Sequence, residues 1–255
     1  MKTCVIAIPI YKEELNNWEK LSVNMCMRQD LRMDVWFISP KDLETDWYRL
    51  NYPEFKIVTY KGWDGTIASY NKMTLSKDFY SCFLEYEYVL IYQTDALLLK
   101  PVSEILKFID LGYDYIGAPW LEFEYEGGRE VPKYVLPKWK KWRCIHSICK
   151  VKRCMVGNGG FSLRKVSAMK RLMCRHKFRI LFWTGNEDVF IGYYGTPPAC
   201  EIKIAPVNVA KEFSLESCIE KEYKLGIRPL GIHGWQKYAK EFVIRDILGD
   251  IGHEM

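Results

Sequence analysis

Tyr88-Val-Leu-Ile-Tyr-Gln-Thr-Asp95 is a short run of aromatic and branched apolar residues that stops on a carboxylate. Its length and composition predict a buried strand, with Asp95 at the carboxyl end. Upstream, strand and helix patterns alternate. Cys4 to Ile10 and Asp34 to Ile38 are predicted strands, Phe55 to Tyr60 is a third, and Leu15 to Met27 carries Leu15, Trp18, Leu21, Val23 and Met25 on a roughly helical stripe. Ile67 to Tyr86 spaces Tyr70, Met73, Leu75, Phe79, Phe83 and Leu84 near the helical period. A βαβα succession implies an α/β fold with a mainly parallel sheet, whose right-handed crossovers put ligand sites beyond the carboxyl ends of the strands.

Downstream, Tyr113-Asp-Tyr-Ile-Gly-Ala-Pro-Trp120 predicts another short strand, after which periodicity fails. Residues 121–155 are expected to form an insertion or mobile loop. Order returns at Val156-Gly-Asn-Gly-Gly-Phe-Ser-Leu-Arg164. A helix is predicted over Ser167 to His176, a further one opens at Asn186-Glu-Asp-Val-Phe190, and Ile202 to Pro206 reads as a late strand. Pro229-Leu-Gly-Ile-His-Gly-Trp235 is turn-rich and precedes a C-terminal helix of mixed charge. There is no internal repeat, and 255 residues fit one α/β domain spanning 1–255.

The composition narrows the class. A hydrophobic share of 49% with 9 Trp, 17 Tyr and 12 Phe supplies a continuous core and excludes wholesale disorder. A net charge of +5 gives no ground for nucleic-acid binding. No apolar run approaches the ~18 residues of a membrane span, and the first one is too short for a secretion signal, so a soluble, unsecreted chain is expected. Nine cysteines, an odd number without framework spacing, suggest reduced thiols in a cytoplasm.

Several residues are candidates for chemistry. Asp95, just past a strand, suits a hard oxygen ligand for a metal, and equally a turn or helix cap. Glu187 and Asp188 open a helix, where the dipole favours negative charge; the same pair suits proton transfer, one carboxylate accepting a proton while its neighbour holds a hydroxyl or the loop. His233 sits between Gly231 and Gly234, and reads either as a metal ligand or as a turn imidazole bonded to backbone; Trp235 beside it is placed to cover a ligand. Gly157-Asn-Gly-Gly160 lacks the third glycine of the dinucleotide fingerprint and lies far from the first strand, which disfavours a Rossmann dehydrogenase, and no P-loop motif is present. Its glycines suggest backbone passing close to a ligand, with Ser162 and Arg164 as polar reach, or a simple bulge.

Between Val131 and Cys154 lie eight basic residues and no acidic one, interleaved with Tyr134, Trp139 and Trp142. This suits an anionic membrane surface or a pyrophosphate-bearing substrate, or a solvated loop. Cys144, His146, Cys149 and Cys154 have no standard zinc spacing.

Taken in order, Ile8-Pro-Ile-Tyr-Lys-Glu13, Tyr70-Asn-Lys-Met-Thr-Leu-Ser76, Leu90-Ile-Tyr-Gln-Thr-Asp-Ala96, the Tyr113 to Trp120 run, Gly157 to Arg164, Asn186-Glu-Asp-Val-Phe190 and Gly231-Ile-His-Gly-Trp235 resemble a bacterial family of GT-A-fold glycosyltransferase-like proteins long labelled a domain of unknown function. The resemblance covers nearly the whole chain. It implies a GT-A-like, Rossmann-type sheet flanked by helices, and transfer of a sugar from a nucleotide-diphosphate sugar, by preference a UDP-sugar, to a glycan or lipid-linked acceptor in surface polysaccharide synthesis. The place of the GT-A D-x-D element is taken by Gln93-Thr94-Asp95, so its first carboxylate is missing. By resemblance Asp95 and His233 would bind Mn²⁺ or Mg²⁺, Gln93 would contact ribose or sugar, Asp188 would be the general base of an inverting reaction, and Glu187 would orient the acceptor or the loop. Pro9, Ile10, Tyr11 and Lys12 would surround the nucleotide base and ribose, and Asn71, Thr94, Gly159 and Gly160 would complete the donor site. The basic loop 131–154 would close over the diphosphate or dock a lipid-linked acceptor, with the protein cytoplasmic and peripheral at the inner face of the membrane. The alternative is a non-catalytic nucleotide-sugar or glycan-binding module on the same fold.

Overall fold

The computed structural model describes residues 2–27, 33–121, 123–126, 129–132, 155–195 and 201–249. Its centre is a six-stranded sheet in the order β3-β2-β1-β4-β9-β6, with β1 Lys2–Pro9, β2 Asp34–Pro40, β3 Lys56–Tyr60, β4 Tyr86–Tyr92, β6 Tyr115–Pro119 and β9 Val156–Lys165. The pairs β1–β2, β2–β3 and β1–β4 are parallel, while β9 runs antiparallel to both β4 and β6. The mixed α/β fold with a mainly parallel sheet flanked by helices is as the sequence predicts.

The central strands are nearly continuous apolar runs because both faces are covered. Their side chains alternate between two cores. Ile6, Ile8, Phe37, Leu90 and Tyr92 face one, and Val5, Ala7, Trp36, Val89 and Ile91 face the other. The first core is closed by the helix Asn17–Met27, and the second by the helix Val166–Arg175 with Met169, Leu172 and Met173.

Ile67 to Tyr86 is two short helices rather than one. Ile67–Thr74 ends where Ser76 caps the next, Lys77–Ser81, by accepting a hydrogen bond from the Phe79 amide at 3.1 Å. Ile202 to Pro206 does not form a strand; only an isolated bridge joins Ile204 to Tyr115. Conversely, the turn-rich segment near His233 contains strand β11, Gly231–His233, which pairs parallel with β10, Ser214–Leu215, and antiparallel with β5, Ala96–Leu98. Within 121–155, Phe123–Glu126 (β7) and Arg129–Pro132 (β8) form an antiparallel ladder. Residues 133–154, including the basic run and the Cys144–Cys154 cluster, lie outside the described residues. Among the described residues no helix is long and apolar enough to cross a membrane, and five cysteines, Cys4, Cys26, Cys82, Cys174 and Cys218, are free thiols.

Candidate active site

Strands β1 and β4 run in the same direction, so the turns at Pro9 to Lys12 and at Gln93 to Asp95 open side by side. They open into a cavity of about 550 Å³ at the carboxyl ends of the strands, where a doubly wound sheet offers its ligand crevice. Asp95, Asp188 and His233, far apart in the chain, all line it, as do Pro9, Tyr11, Lys12, Asn71, Gln93, Thr94, Gly159, Gly160 and Glu187. Ile10 does not. Its side chain is 1% exposed in the core and its amide donates to the Ile38 carbonyl, because the strand alternation that turns Pro9 and Tyr11 to the cavity turns Ile10 inward.

His233 is positioned by strand pairing. In the β11–β5 register it stands opposite Ala96, and the Gly234 amide donates to the Asp95 carbonyl at 3.1 Å. This brings Nε2 to 3.0 Å from Gln93 Oε1 and 3.2 Å from Asp95 Oδ1. On the other side of the ring, Nδ1 lies 3.3 Å from Glu216 Oε1, without the alignment of a hydrogen bond. Burial opposes the imidazolium, but the carboxylates of Asp95 and Glu216 outweigh it and raise His233 to about 10. Burial acts on Asp95 in the opposite sense to His233, whose hydrogen bond and charge prevail and lower the carboxyl below its ordinary value.

The glycines of Gly157-Asn-Gly-Gly160 make room for these groups rather than for a ligand alone. A Cβ on Gly160 would stand 2.0 Å from His233 Nε2, and one on Gly159 would stand 2.3 Å from Glu187 Oε1. The Gly160 carbonyl also accepts from the Gln93 amide at 2.8 Å, tying β9 to the turn that carries Asp95.

Glu187 and Asp188 open the helix Glu187–Gly195 but have different surroundings. Glu187 Oε1 pairs with Arg164 Nη2 at 3.0 Å, and its amide donates to Asn71 Oδ1 at 3.2 Å. Arg164, fully buried, further donates to Ser162 Oγ, Tyr80 OH and the Gly159 carbonyl. The expected polar reach of Ser162 and Arg164 toward a ligand is therefore absent: Arg164 points inward, and Ser162 donates to the Gly159 carbonyl at 2.7 Å. The pair with Arg164 ties the first turn of this helix to strand β9. Asp188 Oδ1 accepts only from the neighbouring Val189 amide among the described hydrogen bonds, at 2.7 Å. Burial, followed by the charge of Glu187, raises Asp188 to about 8.

Four further groups belong to the cavity. Asn16 and Glu19 form a reciprocal cap on the helix Asn17–Met27: the Glu19 amide donates to Asn16 Oδ1 and the Asn16 amide to Glu19 Oε2. Lys12 Nζ then lies 2.7 Å from Glu19 Oε1, which places one cation at the mouth beside Tyr11. Thr94 Oγ1 stands 3.5 Å from the same Glu19 oxygen. The Tyr70 hydroxyl is buried without a hydrogen-bond partner, and Glu216 completes the surroundings of His233. Asn16-x-x-Glu19 is legible as a helix start, whereas nothing local marks Glu216. Trp235 does not cover a ligand: it is fully buried, edge-on to Trp18 at 5.5 Å.

Comparison with solved structures gives the same architecture. Mouse xyloside xylosyltransferase 1 in its apo form aligns with a TM-score of 0.56 at 11% identity, covering 91% of this chain and 97% of that one. The bifunctional glycosyltransferase WbbM, also apo, aligns with a TM-score of 0.52 at 9% identity, covering 91% of this chain. The chain spans 46% of WbbM, somewhat under half its length. At such identities the likeness establishes the fold, a glycosyltransferase fold of GT-A-like type. No curated protein matches the sequence. Residues 55–233, running from β3 through the cavity to His233, match the family described as protein of unknown function DUF5672, and by that match the chain belongs to it.

Proposed function

We propose that the protein is a glycosyltransferase that moves a sugar from a nucleotide-diphosphate donor, by preference a UDP-sugar, to a hydroxyl of a glycan or lipid-linked acceptor, with the whole chain 1–255 acting as one domain. The observation that carries this reading is the convergence of Asp95, His233 and Asp188 on one cavity at the strand ends. In this reading the base and ribose lie along Pro9 to Lys12, and the Lys12 ammonium meets the negative charge of the diphosphate. Asp188 accepts the acceptor's hydroxyl proton. The freed oxygen forms a bond to the anomeric carbon as the bond to the diphosphate breaks, its electron pair leaving with the phosphate, and configuration inverts. A side chain raised to about 8 is suited to that proton transfer near neutral pH.

His233 Nε2 lies 3.0 Å from Gln93 Oε1 and 3.2 Å from Asp95 Oδ1, a nitrogen and two oxygens of the kind that would hold Mg²⁺ or Mn²⁺. Among the described residues no group of three His, Cys, Asp or Glu side chains is arranged to hold a metal ion by itself, so the ion fits only if diphosphate oxygens and water complete its shell. When bound, it supplies Lewis-acid neutralisation of the leaving diphosphate. His233 must lose its proton to serve as a ligand.

Gln93 in place of a carboxylate favours a second reading, a non-catalytic nucleotide-sugar-binding module. Release of UDP or GDP from a panel of nucleotide sugars, with Mn²⁺ and in the presence of glycan acceptors, separates the two. Release by the wild type and none by Asp188→Asn supports the transferase. No release from any donor, with binding retained, supports the module.

A further inference from the structure

Among the described residues, a concentration of uncovered apolar side chains lies away from the cavity. Phe178, Leu181 and Phe182 are 72%, 74% and 78% exposed within five residues. The helix that carries two of them, Lys177–Leu181, buries none of its residues. Hydration of three such side chains is unfavourable, and a cluster of this kind on an otherwise well-packed protein marks a contact surface.

The charge around it selects the partner. From Lys165 to Asn186 the chain has no acidic residue. Glu201 reaches in to pair with Arg175 at 3.3 Å and with His176 at 2.9 Å, Glu87 pairs with Lys165, and Arg179 donates to the Tyr194 hydroxyl. That leaves the exposed Arg171 and Lys177 and the half-buried Lys170 without a carboxylate partner among the ion pairs of the described residues. Aromatic and aliphatic side chains flanked by uncompensated cations are the pattern of a segment that lies in a bilayer interface, its apolar groups among the acyl chains and its cations at anionic headgroups.

We propose that Phe178, Leu181 and Phe182, with Arg171 and Lys177, dock this protein on the surface of an anionic phospholipid bilayer. The same segment continues through Trp183 to Asn186, Glu187 and Asp188, which line the cavity, so the docked surface and the cavity rim share one short stretch of chain. The docking itself does not depend on the transferase reading. A lipid-linked acceptor would reach the cavity from the bilayer only if that reading also holds.

Vesicle co-sedimentation of the full chain tests it. Wild type is expected to pellet with phosphatidylcholine vesicles containing phosphatidylglycerol, to remain in solution with phosphatidylcholine alone, and to be released by salt. Each cation removed, in Arg171→Gln and Lys177→Gln, is expected to lower partitioning roughly fivefold. The triple variant Phe178→Ser, Leu181→Ser, Phe182→Ser is expected to lose it by at least about tenfold, with far-UV circular dichroism unchanged because all three positions are exposed. Soluble-donor hydrolysis, where present, should not change in any of these variants. The proposal is overturned if wild type does not bind the anionic vesicles, or if the triple variant and the glutamine variants bind as wild type does. It is equally overturned if light scattering shows a dimer that the triple variant dissolves, since a second copy then occupies the patch.

Discussion

Arg164 Nη2 and Glu187 Oε1 stand 3.0 Å apart in a buried ion pair that ties strand β9 to the first turn of the helix bearing Asp188. Arg164 is wholly out of solvent, and it also donates to Ser162, Tyr80 and the Gly159 carbonyl. Removing one partner of such a pair leaves a buried charge uncompensated. Glu187→Ala is therefore expected to cost about 3–5 kcal/mol in urea unfolding. Glu220→Ala, which breaks the exposed pair with Lys224, should cost no more than about 0.5 kcal/mol. Equal costs for the two variants would contradict the assigned role of Glu187.

Asp188 carries the clearest pH signature. Its carboxyl is raised from an ordinary 3.8 to about 8 by burial and by Glu187. Between these values the folded chain holds a proton that the unfolded chain has released, so stability falls as pH rises through the window and levels off above pH 8. Asp188→Asn removes that penalty. The variant should be more stable than wild type by an amount that is small near pH 4 and grows steadily to several kcal/mol by pH 8. Thermal unfolding at several pH values reads the difference directly, and a constant difference across the range would exclude a raised carboxyl.

The same side chain sets the expected rate profile. A base must be deprotonated to act, so kcat/KM for transfer should rise with pH and flatten near pH 8, and Asp188→Asn should lower kcat by about 10²–10⁴-fold with donor binding retained. A pH-independent rate, or an Asn variant as fast as wild type, would remove Asp188 from catalysis.

Gly160 and His233 cannot both keep their places if Gly160 gains a side chain, because the new Cβ would stand 2.0 Å from Nε2. Gly160→Ala should displace the imidazole from Gln93 and Asp95 and cost about 1–3 kcal/mol. Gly249→Ala, where a Cβ meets nothing within 4 Å, should leave stability unchanged or slightly raised. Calorimetry of the two variants, with Mn²⁺ titrations of each, checks the difference.

Whereas the grouping of Asp95, Asp188 and His233 followed from the family resemblance, the strands of the central sheet were legible in the sequence because apolar runs ending on polar turns are local signals. The inward turn of Arg164 was not, since an arginine at a strand end reads equally well as a surface or a ligand contact until its partner Glu187 is known. Strand β11 was hidden for a similar reason. Gly231-Ile-His233 has little strand propensity of its own, and its pairing with Ala96–Leu98 comes from distant sequence. Glu216 reaches the site by that same pairing, through β10. Ile10 belongs to the Pro9 to Lys12 stretch that the resemblance places at the nucleotide, but strand alternation sends its side chain to the core.

Asp95, His233 and Asp188 are proposed to surround one nucleotide-diphosphate site. Thermal unfolding of the wild type and of Asp95→Ala with UDP and GDP, each with and without Mn²⁺, tests it most directly, because a ligand that binds only the folded chain raises the midpoint. One of the diphosphates should raise the wild-type midpoint by several degrees, more with Mn²⁺, at about 100 times its dissociation constant. The Mn²⁺ increment should vanish in Asp95→Ala. A wild-type midpoint unmoved by either nucleotide, with or without the metal, would mean that these three side chains do not form a nucleotide-diphosphate site.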